Sequence, residues 1–187
     1  ETVLVGTHTG PGALTASGYP RQLREWRRGT RLSDAPIVFS GQTSDVSVSA
    51  FTDLEPNHEV VMAVRARTFY EADYFVRNDD QWLQLALPNQ VQLTIHRGQL
   101  FVSPKEPWRK AGTVFPAGSL IRLDLRDFLA GVGSAELIYT PKPGKSLAQF
   151  VPTRHNLIIN ELHNVTNRLY SAVRENKAWQ LSPLLGN

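Results

Sequence analysis

The sequence predicts an all-β fold that forms part of a β-propeller, and three observations support this. Most regular segments alternate apolar and polar residues, as in residues 45–51, 91–96 and 120–125. This period of two places one face of each strand on a core. The strands also come in groups of four, and a Pro or Gly closes or follows each group. A four-stranded unit that repeats every ~40–50 residues is typical of a propeller, and long helical periodicity is absent.

The predicted strands form one incomplete set and three complete sets, which amount to about three and three-quarter four-stranded blades. Residues 1–41 are expected to hold the last three strands of a first blade, at 2–5, 21–27 and 36–39. Residues 45–88 form the second blade, with strands at 45–51, 59–66, 69–77 and 81–87. Residues 90–141 form the third, with strands at 90–96, 99–102, 119–125 and 135–140. Residues 146–184 form the fourth, with strands at 146–152, 156–162, 167–174 and 179–184. The one predicted helix covers residues 126–130 and ends at Gly131.

The alternative to a propeller is a β-sandwich or barrel with regular hairpins. The 187-residue chain can bury a core, because 41% of its residues are hydrophobic and 20% are charged. It has no cysteine, which excludes disulfide scaffolds, thiol catalysis and cysteine-ligated metal centres. No run of residues approaches the ~18 apolar positions of a membrane helix, so we expect no membrane partner. The chain starts in a strand-like segment without an initiator Met, and we therefore expect an internal piece of a longer protein.

The sequence carries no recognisable catalytic motif. A serine nucleophile elbow needs Gly two positions before and two after the Ser, and no serine meets this requirement; Ser146 has Gly144 before it but Ala148 after it. The five histidines lack the spacing of a helical zinc site. We therefore expect no catalytic residue, no metal and no cofactor in this chain.

Five arginines lie within eleven residues, around Trp26. Nucleic-acid binding is one interpretation of such a basic cluster with an aromatic residue. A solvated strand followed by a turn at residues 28–30 is the other, and acidic neighbours together with a net charge of only +3 favour it. We therefore expect no nucleic-acid partner. The arginines are Arg21, Arg24, Arg27, Arg28 and Arg31.

Several segments together resemble one protein family. They are GPGALTASGYPR (residues 10–21), WRRGTRLS (26–33), SDVSVS (44–49), FPAGSL (115–120), DFLAG (127–131) and NELHNVTNRL (160–169). In this order they are similar to the propeller domain of bacterial serine peptidases of the prolyl oligopeptidase family. The resemblance runs over most of the chain.

The resemblance implies a segment of a seven-bladed propeller that caps an α/β-hydrolase domain. In that family the Ser-Asp-His triad belongs to the hydrolase domain, so no catalytic residue carries over and the segment alone should be inactive. The implied role is to admit and orient short proline-containing peptides. A free-standing propeller-type module that binds protein or glycan is the alternative function. The compartment stays open, cytoplasmic or periplasmic in a bacterium.

Two connections are unusually long, at residues 6–20 and 103–118. Long loops on a rigid scaffold tend to carry function, and in a meander both leave the same end of their blades. We expect them to face the substrate, although packing between domains is the other interpretation. The outermost strands, at 2–5 and 179–184, predict edge-to-edge self-association of an isolated segment. The candidate contact residues are His8, Tyr19, Arg21, Trp108, Arg109 and Lys110.

Overall fold

The computed structural model describes residues 1–176 and 178–184, which divide into two compact units, Glu1–Gln90 and Val91–Asn187. All strands of the described residues pair antiparallel, in three four-stranded sheets, one three-stranded sheet and one short hairpin. Neither helical element within the described ranges has the length or apolar run needed to cross a membrane.

The first unit contains two meandering sheets. The three-stranded sheet consists of β1 (Thr2–Val5), β2 (Gln22–Arg27) and β3 (Ile37–Ser40). A single 3-10 turn, Leu32–Asp34, lies between its last two strands. The four-stranded sheet consists of β4 (Ser47–Asp53), β5 (Val60–Ala66), β6 (Ala72–Asn78) and β7 (Gln81–Gln84).

The core of the first unit joins these two sheets. Leu23, Val48 and Ala63 are buried at its centre. The ring of Phe39 packs edge-on against Phe75 and Trp82, with ring centroids 4.9 and 5.2 Å away. Such edge-to-face pairs contribute about 0.5–1.5 kcal/mol beyond their buried area.

An ion pair also connects the two sheets of the first unit. Arg77 Nη1 on β6 lies 2.6 Å from Glu25 Oε1 on β2. The hydrogen bond from Arg77, assisted by its charge, outweighs burial and lowers the pKa of Glu25. Glu25 is therefore held ionised opposite its partner.

The second unit contains the other two four-stranded sheets. One consists of β8 (Val91–His96), β9 (Gln99–Pro104), β12 (Leu120–Asp124) and β13 (Glu136–Tyr139). Between β9 and β12 lies the hairpin of β10 (Trp108–Lys110) and β11 (Thr113–Phe115), and the helix α1 (Leu125–Leu129) follows β12. The other sheet consists of β14 (Lys145–Pro152), β15 (Leu157–His163), β16 (Thr166–Glu175) and β17 (Ala178–Pro183).

A second core fills the space between these sheets, built on Phe101, Leu120, Phe150 and Ile159 among others. It includes one buried carboxylate, Glu161. This carboxylate accepts hydrogen bonds from Tyr139 at 3.0 Å and Tyr170 at 3.4 Å, and Lys145 Nζ lies 3.2 Å from it. Burial, and then the hydrogen bond to Glu161, raises the pKa of Tyr139. A buried charge needs such partners to be tolerated.

Several local elements differ from the sequence-based predictions. The strand predicted at 81–87 ends at Gln84. The helix predicted at 126–130 spans Leu125–Leu129, because the Asp124 carboxylate caps it and accepts from the N–H groups of Arg126 and Asp127. The strand predicted at 69–77 begins at Ala72. The predicted loop at 103–118 contains the hairpin of β10 and β11. The assignment of the sheets to blades of a seven-bladed ring stays a prediction.

Candidate functional site

The long connection of residues 6–20, here called the first loop, has a fixed conformation. Thr15 is buried, and its hydroxyl donates to the carbonyl of Val46 at 2.9 Å. The N–H of Ala16 donates to the carbonyl of Thr43 at 2.8 Å. Gly12 has a φ of +76°, a left-handed conformation that favours glycine. These hydrogen bonds tie the loop to the segment between β3 and β4.

The side chain of Arg21, which follows the first loop, forms hydrogen bonds with the backbone of that loop. Its Nε and Nη2 donate to the carbonyl of Gly12 at 2.8 and 2.6 Å, and its Nη1 donates to the carbonyl of Gly41 at 3.1 Å. The guanidinium thus ties the loop to the segment that follows β3. This gives Arg21 a positioning role, while its predicted contact with substrate stays a prediction.

The other two candidates of the first loop are open to solvent. The side chain of Tyr19 is 53% exposed. His8 is also exposed and makes no hydrogen bond or ion pair with any residue in the described ranges. These two side chains can meet a ligand without breaking an existing contact.

Most of the basic cluster near the first loop has structural partners. Arg24 donates to Thr9 Oγ1 at 3.1 Å and to the carbonyl of Ala35 at 2.6 Å. The indole N–H of Trp26 donates to the carbonyl of Thr30 at 2.9 Å, which closes the turn after β2. Arg24 and Trp26 are therefore used within the fold, in agreement with the solvated-strand interpretation of this segment.

Sequence reasoning missed an exposed aromatic pair, Phe69 and Tyr70, which are 84% and 82% exposed. Both lie in the turn between β5 and β6, although the sequence-based prediction places a strand at 69–77. Thr68 Oγ1 accepts the N–H groups of Tyr70 and Glu71 at 3.1 and 3.0 Å and so holds the turn. A Thr followed three residues later by an acidic residue is the signal that could have located it.

The aromatic turn and the first loop lie at the same end of the first unit. Val46 connects them, because its carbonyl accepts from Thr15 and its N–H donates to the carbonyl of Ala66 at 2.8 Å. Ala66 is the last residue of β5, directly before the turn. Tyr19, Phe69 and Tyr70 thus give this end three exposed aromatic rings, here called the aromatic end.

The long connection of residues 103–118, here called the second loop, is built on a hairpin. The N–H of Gly118 donates to the carbonyl of Pro104 at 2.7 Å and closes its base. Trp108 pairs with Phe115 across the hairpin, with ring centroids 6.2 Å apart. Ala111 and Gly112 turn the chain with φ of 47° and 80°, the two positive values of a type I′ turn.

Alternation along β10 separates the three candidates of the second loop. Trp108 is half-buried beside Phe115, and Lys110 Nζ lies 4.4 Å from the ring centroid of Phe128 on α1. Arg109, between them, is exposed and has no ion pair or hydrogen bond with the described residues. Arg109 is therefore the free cation of this hairpin, whereas Trp108 and Lys110 hold its position.

The first loop belongs to the first unit and the second loop to the second unit. Residues 1–176 and 178–184 bring together no group of three or more His, Asp or Glu side chains that could hold a metal ion. In the first unit, the aromatic end exposes three rings and the first loop adds the imidazole of His8; in the second unit, the second loop exposes the cation Arg109. Aromatic surfaces and single cations recognise extended peptides.

Curated relatives of the chain are peptidases. An uncharacterized peptidase of Sinorhizobium fredii is 29% identical over 181 residues, which are 91% of this chain and 25% of the relative. An uncharacterized peptidase of Rickettsia prowazekii is 23% identical over 176 residues, 89% of this chain and 24% of the relative. No profile of a known protein family matches the chain.

Solved structures have the same fold. A post-proline cleaving enzyme from Rickettsia typhi superposes with a TM-score of 0.88 at 20% identity, over 98% of this chain and 28% of that enzyme. The chain matches a propeller segment of the prolyl oligopeptidase family. Oligopeptidase B from Trypanosoma brucei superposes with a TM-score of 0.68 at 10% identity, over all of this chain and 26% of that enzyme. The resemblance to this family that the sequence motifs indicate is thereby confirmed.

The comparisons also show how much of the length of such enzymes this chain covers. The chain spans about a quarter of the length of the curated relatives it matches. The peptidases of the prolyl oligopeptidase family that it resembles are thus much longer than the two units described above. The six candidate residues of the two loops stay predictions as substrate contacts.

Proposed function

We propose that this chain is a non-catalytic propeller segment of a prolyl oligopeptidase-like serine peptidase. It would admit and orient short proline-containing peptides toward a Ser-His-Asp triad in a hydrolase domain of the same parent protein. The observation that carries the proposal is the match of nearly the whole chain to peptidases, at 91% coverage and 29% identity for the Sinorhizobium relative.

The aromatic end is the first feature that supports a role in peptide handling. Its three rings are exposed, although burying an aromatic side chain is strongly favourable in water. Proline rings pack well on aromatic side chains, and proline-rich peptides lose little conformational entropy on binding. The fixed backbone of the first loop adds pre-organisation, which lowers the entropic cost of binding.

Arg109 is the second feature. A peptide substrate carries carboxylates on its acidic side chains and at its C-terminus, and a free guanidinium forms charge-assisted hydrogen bonds with them. Trp108 packs against Phe115 on the other strand of the hairpin, and Lys110 lies over the ring of Phe128 on α1. Arg109 therefore lies on a strand whose neighbouring side chains have packing partners. Arg109 would therefore discriminate among peptides by their charge.

The test is steady-state kinetics of the parent enzyme on chromogenic peptides of several lengths with proline before the reporter. Substituting both Phe69 and Tyr70 by Ala should lower kcat/KM by about tenfold, with a larger effect on longer peptides. Leu54→Ala, at the opposite end of the same sheet and 73% exposed, is the matched control and should change little.

A second pair of variants addresses Arg109. Arg109→Ala should lower kcat/KM for acidic peptides several-fold more than for neutral ones, whereas Arg126→Ala, which removes another exposed cation, on α1, should not. Equal effects of each variant and its control at every peptide length would reject the assigned contacts. A parent protein that cleaves no proline-containing peptide would reject the proposed function itself.

A further inference from the structure

The second unit contains a cavity of about 310 Å³ whose lining is rich in cationic and imidazole side chains. It lies between the two four-stranded sheets, beside the β8–β9 turn and the β14–β15 turn. Since β9 runs from this turn to Pro104, the cavity is at the end of the sheet opposite the second loop. The polar and aromatic residues of the lining are His96, Arg122, Arg154, His155, Arg174 and Trp179.

The carboxylate of Glu136 forms ion pairs with two of the three arginines that line the cavity. Glu136 Oε1 lies 3.0 Å from Arg122 Nη1 and 2.6 Å from Arg174 Nη2, and its Oε2 accepts from Arg174 Nε at 2.9 Å. The indole N–H of Trp179 also donates to Oε2 at 3.2 Å. Burial would raise the pKa of Glu136, but the bonds from Arg174 and Trp179 and the charge of Arg122 lower it. Glu136 is thus ionised, and it neutralises only one of two guanidinium charges.

The third arginine has no counter-charge. Arg154 sits in the β14–β15 turn, and none of the residues 1–176 or 178–184 forms an ion pair or hydrogen bond with it. Three guanidinium groups and one carboxylate leave the cavity with a formal charge of +2 when both histidines are neutral. A concave site lined by one sign of charge attracts and concentrates counter-ions.

His96 gives an independent indication of a ligand. Its Nε2 is shielded from solvent and has no hydrogen-bond partner among the described residues. A buried nitrogen left unpaired costs about 1–3 kcal/mol, and buried polar groups nearly always find a partner. His96 ends β8 and lines the same cavity as the three arginines, so an anion in the cavity would provide that partner.

We propose that this cavity binds a dianionic phosphate group, either free phosphate or the phosphate of a small monoester. The two net positive charges balance a dianion, and guanidinium groups match phosphate oxygens in bidentate geometry. The volume is at the lower end of the range for small-molecule sites. Its lining includes Trp179, an aromatic surface on which the organic part of a monoester could pack. This site is separate from the proposed peptide contacts and does not depend on them.

Calorimetric titration of the full-length protein with inorganic phosphate, at constant ionic strength, tests the proposal. Arg154→Ala should raise the Kd for phosphate by about tenfold or more, because it removes a charge-assisted contact. Arg168→Ala, an exposed arginine on β16 outside the lining, is the charge-matched control and should leave Kd within about twofold. No phosphate binding by the wild type, or equal effects of the two variants, would overturn the proposal.

Glu136→Gln gives a result of the opposite sign. Removing the carboxylate charge frees Arg122 and Arg174 for the ligand, so phosphate should bind several-fold more tightly. Weaker binding by a folded Glu136→Gln protein would contradict the charge argument. If this variant does not fold, the Arg154 and Arg168 pair still decides, because both side chains are free of internal partners.

Titration with phenyl phosphate distinguishes the two sources of the phosphate group. Tighter binding than that of inorganic phosphate indicates a monoester, and equal or weaker binding indicates free phosphate. Because the readout is binding and not peptide cleavage, its failure is distinguishable from failure of the proposed function.

Discussion

Replacing Arg21 by alanine should release the first loop from the segment that follows β3. The guanidinium reaches two backbone carbonyls, that of Gly12 through two N–H groups at 2.8 and 2.6 Å and that of Gly41 through one at 3.1 Å. Each carbonyl contact contributes about 1 kcal/mol net of solvation. The loop should therefore lose about 2 kcal/mol of local stability, which corresponds to about a 30-fold change in its opening equilibrium.

Amide hydrogen exchange of the full-length protein measures this change locally. The N–H groups of Thr15 and Ala16, bonded at 2.8 Å to Tyr19 and Thr43, report on opening of the loop. Their protection should fall about 30-fold in Arg21→Ala, while protection in the middle of β5 should stay the same. Arg21→Lys, with one ammonium in place of a fork, should keep one contact and lose about fivefold.

Arg27→Ala is the control, since Arg27 ends β2, the strand that follows Arg21, is exposed and has no ion pair among the described residues. It should change the protection of the loop by less than about twofold. If Arg21→Ala also changed the protection of the loop by less than about twofold, the positioning role of Arg21 would be refuted. A uniform loss of protection across both sheets of the first unit would refute it too, because it would indicate a contribution to global stability.

Three further predictions concern stability, measured by chemical unfolding. Gly41→Ala should destabilise by about 1–3 kcal/mol, because a Cβ there would lie 2.6 and 2.7 Å from two neighbouring side-chain atoms. Glu25→Gln should flatten the pH dependence of the free energy of unfolding. Arg77 lowers the pKa of Glu25 in the folded protein below its ordinary 4.5, so the ion pair stabilises the fold above pH 4.5. This stabilisation, about 1 kcal/mol or less, is lost as the pH falls through the folded pKa. Lys110→Met should lose about 0.5–1 kcal/mol, since it removes the charge above the ring of Phe128.

Matched variants make these outcomes decisive. Ser44→Ala, at an exposed position near Gly41, should be neutral, and a neutral Gly41→Ala would contradict the close approach. Glu55→Gln removes a carboxylate that forms no ion pair with the described residues, and an equal flattening by it would show that the effect is not specific to Glu25. Lys105→Met, exposed at the base of the second loop, should have no effect, and an equal loss there would argue against the contact of Lys110 with the ring.

Much of the strand content follows from local pattern. The alternation at residues 91–96 and 120–125 matches β8 and β12 within one residue at each end, because period two places every second side chain on the core. The turn at Arg97 and Gly98, both with positive φ, joins β8 to β9, and its glycine is the residue type that favours such a conformation. The resemblance to the prolyl oligopeptidase family also needed only the order of short motifs.

Where the pattern was ambiguous, contacts from elsewhere in the fold were required. Phe69 and Tyr70 are residue types that favour strands, yet they lie in a turn, in which Thr68 Oγ1 accepts the N–H groups of Tyr70 and Glu71. The second loop contains a hairpin because Trp108 and Phe115 pack across it, and such a pairing depends on three-dimensional approach.

The role of each charged side chain is the part that no local pattern contains. Residue type and spacing establish the strands, the absence of a nucleophile elbow and the basic cluster, since these depend on neighbours within a few positions. They do not distinguish Arg21, bound by two carbonyls, from Arg109, which is free. They also do not show that His96 and Arg154, which are 58 positions apart in the chain, line the same cavity. Hydrogen bonds and charge pairs act over a few ångströms in space, so only the folded chain determines which of these groups stay available for a ligand.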